Sequence, residues 1–150
     1  MRQNWFLTTI AYEKVAEEGR IVKVRENYLI DALSFTESEA RIIEEMRPFI
    51  SGEFVVAKAT RARISEIFFN DDGAMWFKGK VNFLLFDEEK GVERKIPVTI
   101  LAQANDLKEA LHLIEQGMKG TMADYEIYSI TTTDIEAVIK YEEEEKPEVD

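Results

Sequence analysis

Two tryptophans and two lysines offer the first chemistry in the chain. Trp5 precedes Phe6, Trp76 precedes Phe77, and Lys78 and Lys80 follow at two-residue spacing. In a strand, side chains at that spacing share a face. If Phe6 and Phe77 point into the core, both tryptophans point the other way, and Trp76 shares its side with Lys78 and Lys80. Aromatic rings interleaved with cations hold single-stranded nucleic acid, by base stacking and phosphate contact. Equivalent tryptophans also serve as packing residues, at a sheet rim or where two halves of a fold meet. A second basic set, Lys58, Arg61 and Arg63, could join Arg41, Arg47, Arg94 and Lys95 in a positive strip. Such residues more commonly pair with neighbouring carboxylates on the surface.

Other chemistry is weakly represented. His112 is the only histidine and has no second histidine or adjacent nucleophile to work with. The chain has no cysteine, which excludes disulfides, thiolate nucleophiles and Cys-ligated zinc or iron–sulfur clusters. Asn70-Asp71-Asp72-Gly73 reads as a hairpin turn and not as a calcium loop. The adjacent pairs Glu17-Glu18 and Glu44-Glu45 cannot aim both side chains into one cleft from a regular element. No phosphate-binding glycine loop, nucleophile elbow or zinc-protease motif occurs. No catalytic residue, metal site or cofactor is therefore assigned.

Charge and length narrow the class. The net charge is −11, of which the tail from Glu142 to Asp150 carries −5 and the preceding body −6. An acidic body opposes binding to a nucleic-acid backbone, though not a local basic patch. No apolar run reaches the ~20 residues of a membrane helix, and Met1 to Phe6 lacks a signal-peptide pattern. A cytoplasmic protein with no membrane partner is expected. Residues 142–150 are expected to form a disordered acidic tail.

The elements that must position these residues read as a repeat. Trp5 to Val15 and Val22 to Ala32 alternate as strands about the turn Glu17-Glu18-Gly19. Ser34 and Thr36 offer helix caps, with Thr36 to Glu39 fitting a capping box. Ala40, Ile43 and Met46, with Ile42, form a helical stripe that ends near Pro48. Strands follow at 54–59 and 64–69, the joint between them being open to one long bent strand instead. The pattern then restarts. Trp76-Phe77 matches Trp5-Phe6 at an offset of 71, and Glu88 to Gly91 answers the first turn. Val98, Ile100 and Ala102 match Tyr28, Ile30 and Ala32 at an offset of 70. Asp106 to Glu109 repeats the capping box. Asp124 to Ile127 and Ile135, Val138 and Ile139 return at 71. At the 70-residue offset, Phe35 faces Asn105 and Ile42 faces His112. Pro97 and its counterpart Asn27 predict a bend or an edge in the second strand of each half.

The fold expected is α+β: an internal duplication of a β-β-α-β-β unit, with antiparallel sheets each covered by one helix. It would form a single pseudo-symmetric domain over 1–141, with halves 4–70 and 75–140.

Four strings carry a family resemblance: Tyr28 to Glu37, Ala40 to Glu45, Glu66 to Phe69, and Met118 to Tyr125. Together they resemble a family of small proteins of unknown function, found mainly in Bacteroidetes, over roughly residues 4–140. The resemblance implies a small cytoplasmic α+β protein and brings with it no activity, cofactor or site residue.

The leading functional expectation is a non-enzymatic interaction or regulatory module, binding an unknown protein or a second copy of itself. The contact surface would be a sheet face bearing Trp5, Trp76 and other apolar residues. The first alternative is single-stranded nucleic-acid binding through Trp5, Trp76, Lys78, Lys80, Lys58, Arg61 and Arg63. The second is small-molecule binding or catalysis in a cleft between the halves.

Overall fold

The structure, a computed structural model, describes residues 4–141. The expected acidic tail, 142–150, lies outside the described residues. The elements in chain order are β1 (Trp5–Val15), β2 (Ile21–Asp31), α1 (Phe35–Met46), β3 (Phe54–Ala62), β4 (Glu66–Phe68), β5 (Met75–Asp87), β6 (Val92–Ala104), α2 (Leu107–Gly117), β7 (Asp124–Thr132) and β8 (Ile135–Ile139). They form an α+β protein with two four-stranded sheets, ordered β3-β1-β2-β8 and β4-β6-β5-β7.

The strands are not shared out as contiguous halves. One compact unit comprises the chain up to Ala62 and again from Ala137, and the other runs from Arg63 to Glu136. β4, at the end of the stretch 4–70, lies beside β6, and β8 lies beside β2. Each sheet therefore takes one strand, β8 or β4, from the stretch expected to complete the other. The β3–β4 joint breaks into two strands because its two sides belong to different sheets. β4 also runs parallel to β6, so the second sheet is mixed where an antiparallel one was expected. The turn at 70–73 does close, with the Gly73 N–H donating to the Asn70 carbonyl at 2.8 Å. It is no hairpin, since β6 separates β4 from β5.

In the first unit β1 pairs β2 from Trp5 opposite Asp31 to Val15 opposite Ile21, and Gly19 closes the turn at φ +80°. A positive φ of this kind suits glycine, which has no Cβ to clash. Phe6, Ile10, Tyr28, Ile30 and Ala32 face Ile42 and Met46 of α1 in one buried cluster. The second unit repeats the arrangement: Phe77, Val81, Ile100, Ala102 and Ala104 face Ala110, Ile114 and Met118. Full burial of an aliphatic or aromatic side chain of this size contributes roughly 1.5–3 kcal/mol.

These clusters correct the sequence register. Tyr28 opposes Thr8 and Ile100 opposes Gly79, so the counterpart of Tyr28 is Ile100 and not Val98. Through β2 and α1 the offset is 72. A shift of two residues preserves which face each side chain occupies, so alternation alone cannot detect it. Ile42 then corresponds to Ile114 and not to His112. The helix details follow the same offset. Ser34 caps α1, its hydroxyl accepting from the Glu37 N–H, and Asp106 caps α2, accepting from the Glu109 N–H. The buried line of α1 is Ser38, Ile42 and Met46, four residues apart; Ala40 of the expected stripe is exposed.

The bends also lie elsewhere than expected. The β1–β2 and β5–β6 ladders run unbroken through Asn27 and Pro97. The irregularities fall instead between Thr9 and Ile10 against β3, and between Lys80 and Val81 against β7. Ala57 and Tyr128 are the extra residues there, each bulging its strand. Pro97 is accommodated by orientation. The Ser65 N–H donates to the Thr99 carbonyl, so the main-chain groups of Thr99 point away from β5. Two residues earlier, Pro97 points the same way. β4 pairs only with Ile100–Ala102, and the missing N–H therefore costs no ladder bond.

Candidate binding surface

Strand parity places the tryptophans as the sequence predicts, on the sheet face opposite the helix in each unit. Both, however, are buried, Trp5 at 6% exposure and Trp76 at 5%. Leu29 and Leu101, on the same faces, are fully buried too. The Trp76 ring meets Phe69 edge-on, with centroids 5.6 Å apart, and its carbonyl accepts from the Thr133 hydroxyl at 2.7 Å. Neither indole offers an open ring face for a stacked base. Lys78 is half-buried and Lys80 exposed, both on the side of Trp76.

Within the first unit the remaining basic residues are divided between the two faces of the sheet. Lys58, opposite Thr9, lies on the Trp5 side of the first sheet, whereas Arg61, opposite Phe6, lies on the helix side. Arg61 donates to the Asn4 side chain at 2.7 Å. Arg63 stands between β3 and β4, outside both strands. Arg41 is held by an ion pair with Glu37, donates to the Asp31 carbonyl at 2.6 Å and stacks on the Tyr141 ring at 3.8 Å. Lys95 pairs with Glu126 at 2.9 Å, and Asn82 donates to the same carboxylate oxygen at 3.0 Å. The hydrogen bond from Lys95, aided by that from Asn82, lowers the Glu126 carboxyl. The same bond and the charge of Glu126 raise the Lys95 ammonium. Arg94, by contrast, is exposed and makes no ion pair among the described residues.

A polar cluster that the sequence reading passed over lies in the first unit. Tyr12 and Tyr28 both donate their hydroxyls to Glu26, one to each carboxylate oxygen. Glu26 opposes Ile10 and so lies on the helix side, half-buried. Nearby, Ala11, Tyr12, Glu13, Lys23, Val24 and Arg25 line a shallow depression of about 250 Å³. Each carboxylate oxygen of Glu26 thus accepts from a phenol. His112 lies exposed on α2. Among the described residues no group of three His, Cys, Asp or Glu side chains is placed to hold a metal ion.

One open apolar patch lies on the helix side of the second unit. Leu85, Val92 and Ile96 are 45%, 49% and 40% exposed, at the far end of the β5–β6 hairpin. Half-buried Phe83 and Val98 link them to the core cluster. The cause is a mismatch of lengths. Strands of 13 residues extend for ~43 Å, but a helix of 11 residues covers only ~16 Å. The signal was present in the sequence, as alternating apolar residues running on past any point the helix could reach.

The fold and surface thus define a small α+β protein whose second unit has an uncovered hairpin face. The chain belongs to the family described as Domain of unknown function (DUF4494), whose model matches residues 4–141. No curated protein and no solved structure matches it. No helix among the described residues is long and apolar enough to cross a membrane.

Proposed function

We propose that the protein is a non-enzymatic interaction module, and that its contact surface is the helix-side face of the β5–β6 hairpin. The supporting observation is the run Leu85, Val92 and Ile96, left open where α2 ends. An apolar patch continuous with a core gains from being covered, at roughly 25 cal/mol per Å² of apolar surface. The test is a photo-crosslinking residue introduced in place of Ile96, with a control in place of Glu39 on α1. Capture of a protein from position 96 and not from position 39 is expected. Absence of any crosslink from position 96 would remove the reading.

A duplication of one β-β-α-β-β unit belongs to the same proposal. It is supported by features that no core requirement demands twice. The two bulges fall at Ala57 and Tyr128, 71 positions apart, and the two caps at Ser34 and Asp106, 72 apart. The residue two positions after each exchanged strand is also bonded alike. The Asn70 N–H donates to the Gln103 side chain at 3.0 Å, and the Tyr141 N–H to the Asp31 side chain at 2.6 Å.

A further inference from the structure

We infer that the occupant of the hairpin face is a second copy of this chain, docked about a two-fold axis along the Leu85–Val92 diagonal; this rests on the interaction reading above. On that face Leu85 lies opposite Arg94, and Asp87 opposite Val92. The four side chains mark a rectangle of ~4.8 by ~6.8 Å, set by the strand spacing and twice the residue rise. One diagonal is apolar, and the other joins a cation to an anion. Arg94 has no ion pair among the described residues. Asp87 uses Oδ1 to accept from the N–H groups of Glu89 and Lys90, and those bonds leave Oδ2 unused.

Symmetry then selects the register. A two-fold contact must be complementary to itself. An axis along the strands would place Arg94 on the partner's Leu85, and an axis across them would place it on the partner's Val92. Either buries an unpaired guanidinium, which is costly. An axis along the Leu85–Val92 diagonal places each of those residues against its own copy. It also brings Arg94 to the partner's Asp87, twice, in the geometry a carboxylate and a guanidinium favour. The two hairpins would cross at ~70°, closer to the orthogonal than to the aligned sheet-on-sheet arrangement. The first unit lacks the device, because Lys14 opposes Val22 at the positions of Leu85 and Arg94.

The test is sedimentation equilibrium of the full chain. Wild type is expected to dimerise. Arg94→Glu and Asp87→Arg are each expected to weaken association by at least about tenfold. Mixing the two variants should restore a dimer, and so should combining both substitutions in one chain. A wild-type protein that stays monomeric, yet crosslinks another protein from position 96, overturns this inference and leaves the interaction reading standing. A dimer indifferent to both charge reversals, or not restored by mixing them, overturns it too. Absence of both dimer and crosslink overturns the two together.

Discussion

Under the middle of α1 the first sheet presents Thr8; under the middle of α2 the second presents Gly79. Thr8 is fully buried, and its hydroxyl donates to the Tyr28 carbonyl at 3.0 Å. A Cβ on Gly79 would stand 2.7 Å from the Ile114 side chain, so the second helix rests where the first sheet carries a side chain. The contrast continues outward. Ser38, buried with its hydroxyl bonded to the Phe35 carbonyl, answers Ala110. Tyr12, Glu26 and Tyr28 answer Phe83, Val98 and Ile100. One frame thus supports a core with buried polar side chains and, among the described residues, a core without them. Among the described residues, no buried side-chain nitrogen or oxygen lacks a partner. The polar groups of the first unit are tolerated because donors and acceptors are paired there. The second unit has smaller residues at these positions, and Ile114 packs directly over Gly79.

The largest test of this comparison truncates the central helix residues. Ile42 and Ile114 are both fully buried, and each change to alanine should cost ~2–5 kcal/mol in urea unfolding. Hydrogen exchange should show faster amides in β1–β3 for Ile42→Ala and in β5–β7 for Ile114→Ala. A near-zero cost for one of them would break the equivalence. Next comes a graft. Gly79→Thr puts the first unit's residue under the second helix and should cost ~1–3 kcal/mol by overpacking against Ile114. An unchanged midpoint would mean that α2 can shift to make room for the side chain.

The polar cluster sharpens the comparison further. Tyr28→Phe removes one donor from Glu26 and should cost ~0.5–1.5 kcal/mol. Tyr12→Phe and Tyr28→Phe made together with Glu26→Val remove donors and acceptor alike. That triple change should cost less than its parts, because no half-buried carboxylate is left short of partners. Thermal unfolding of the single and combined variants tests the ordering.

The smallest effect is a pH dependence confined to the second unit. Glu126 titrates below the ordinary carboxylate range, so its pairing with Lys95 and Asn82 stabilises the fold at neutral pH. That contribution fades as pH falls from the ordinary range through the lowered one. Lys95 is raised, so its share fades only as pH climbs through and above the ordinary lysine range. Lys95→Ala should return the Glu126 carboxyl towards its usual titration, read by carbon NMR. The first unit has Ala11 and Val55 at the positions of Asn82 and Glu126 and should show no such response.

Much of this frame was legible before the structure. Alternation located the long hairpins, Gly19 and Gly91 marked their turns, and Ser34 and Asp106 marked the helix starts, although the capping box read at Thr36 to Glu39 lies inside α1. Parity correctly put Trp5 and Trp76 on the face away from the helix. What parity cannot say is whether a face is covered. Lys78 and Lys80 beside Trp76 suggested an open one, yet both indoles are buried. The register error of two residues has the same origin, since a period of two is blind to a shift of two. The exchange of β4 and β8 was out of reach for a different reason. β4 has three residues and β8 five, too few for periodicity to state a partner, and the choice between sheets is made by long-range pairing alone. The open strip at Leu85, Val92 and Ile96 could have been found, by setting the strand lengths against the helix length.

The exchanged strands also set an order of completion during synthesis. The unit from Arg63 to Glu136 is one continuous run, so all its strands have left the ribosome soon after β7. The unit begun first must wait, because its fourth strand, β8, ends at Ile139. Chains generally fold domain by domain from the N-terminus as they emerge; here the later unit can close before the earlier one. Until β8 arrives, β2 has a bare edge of main-chain donors and acceptors, the kind of edge that recruits stray strands. A chain cut short before Ala137 would keep most of that edge permanently, with its second unit whole.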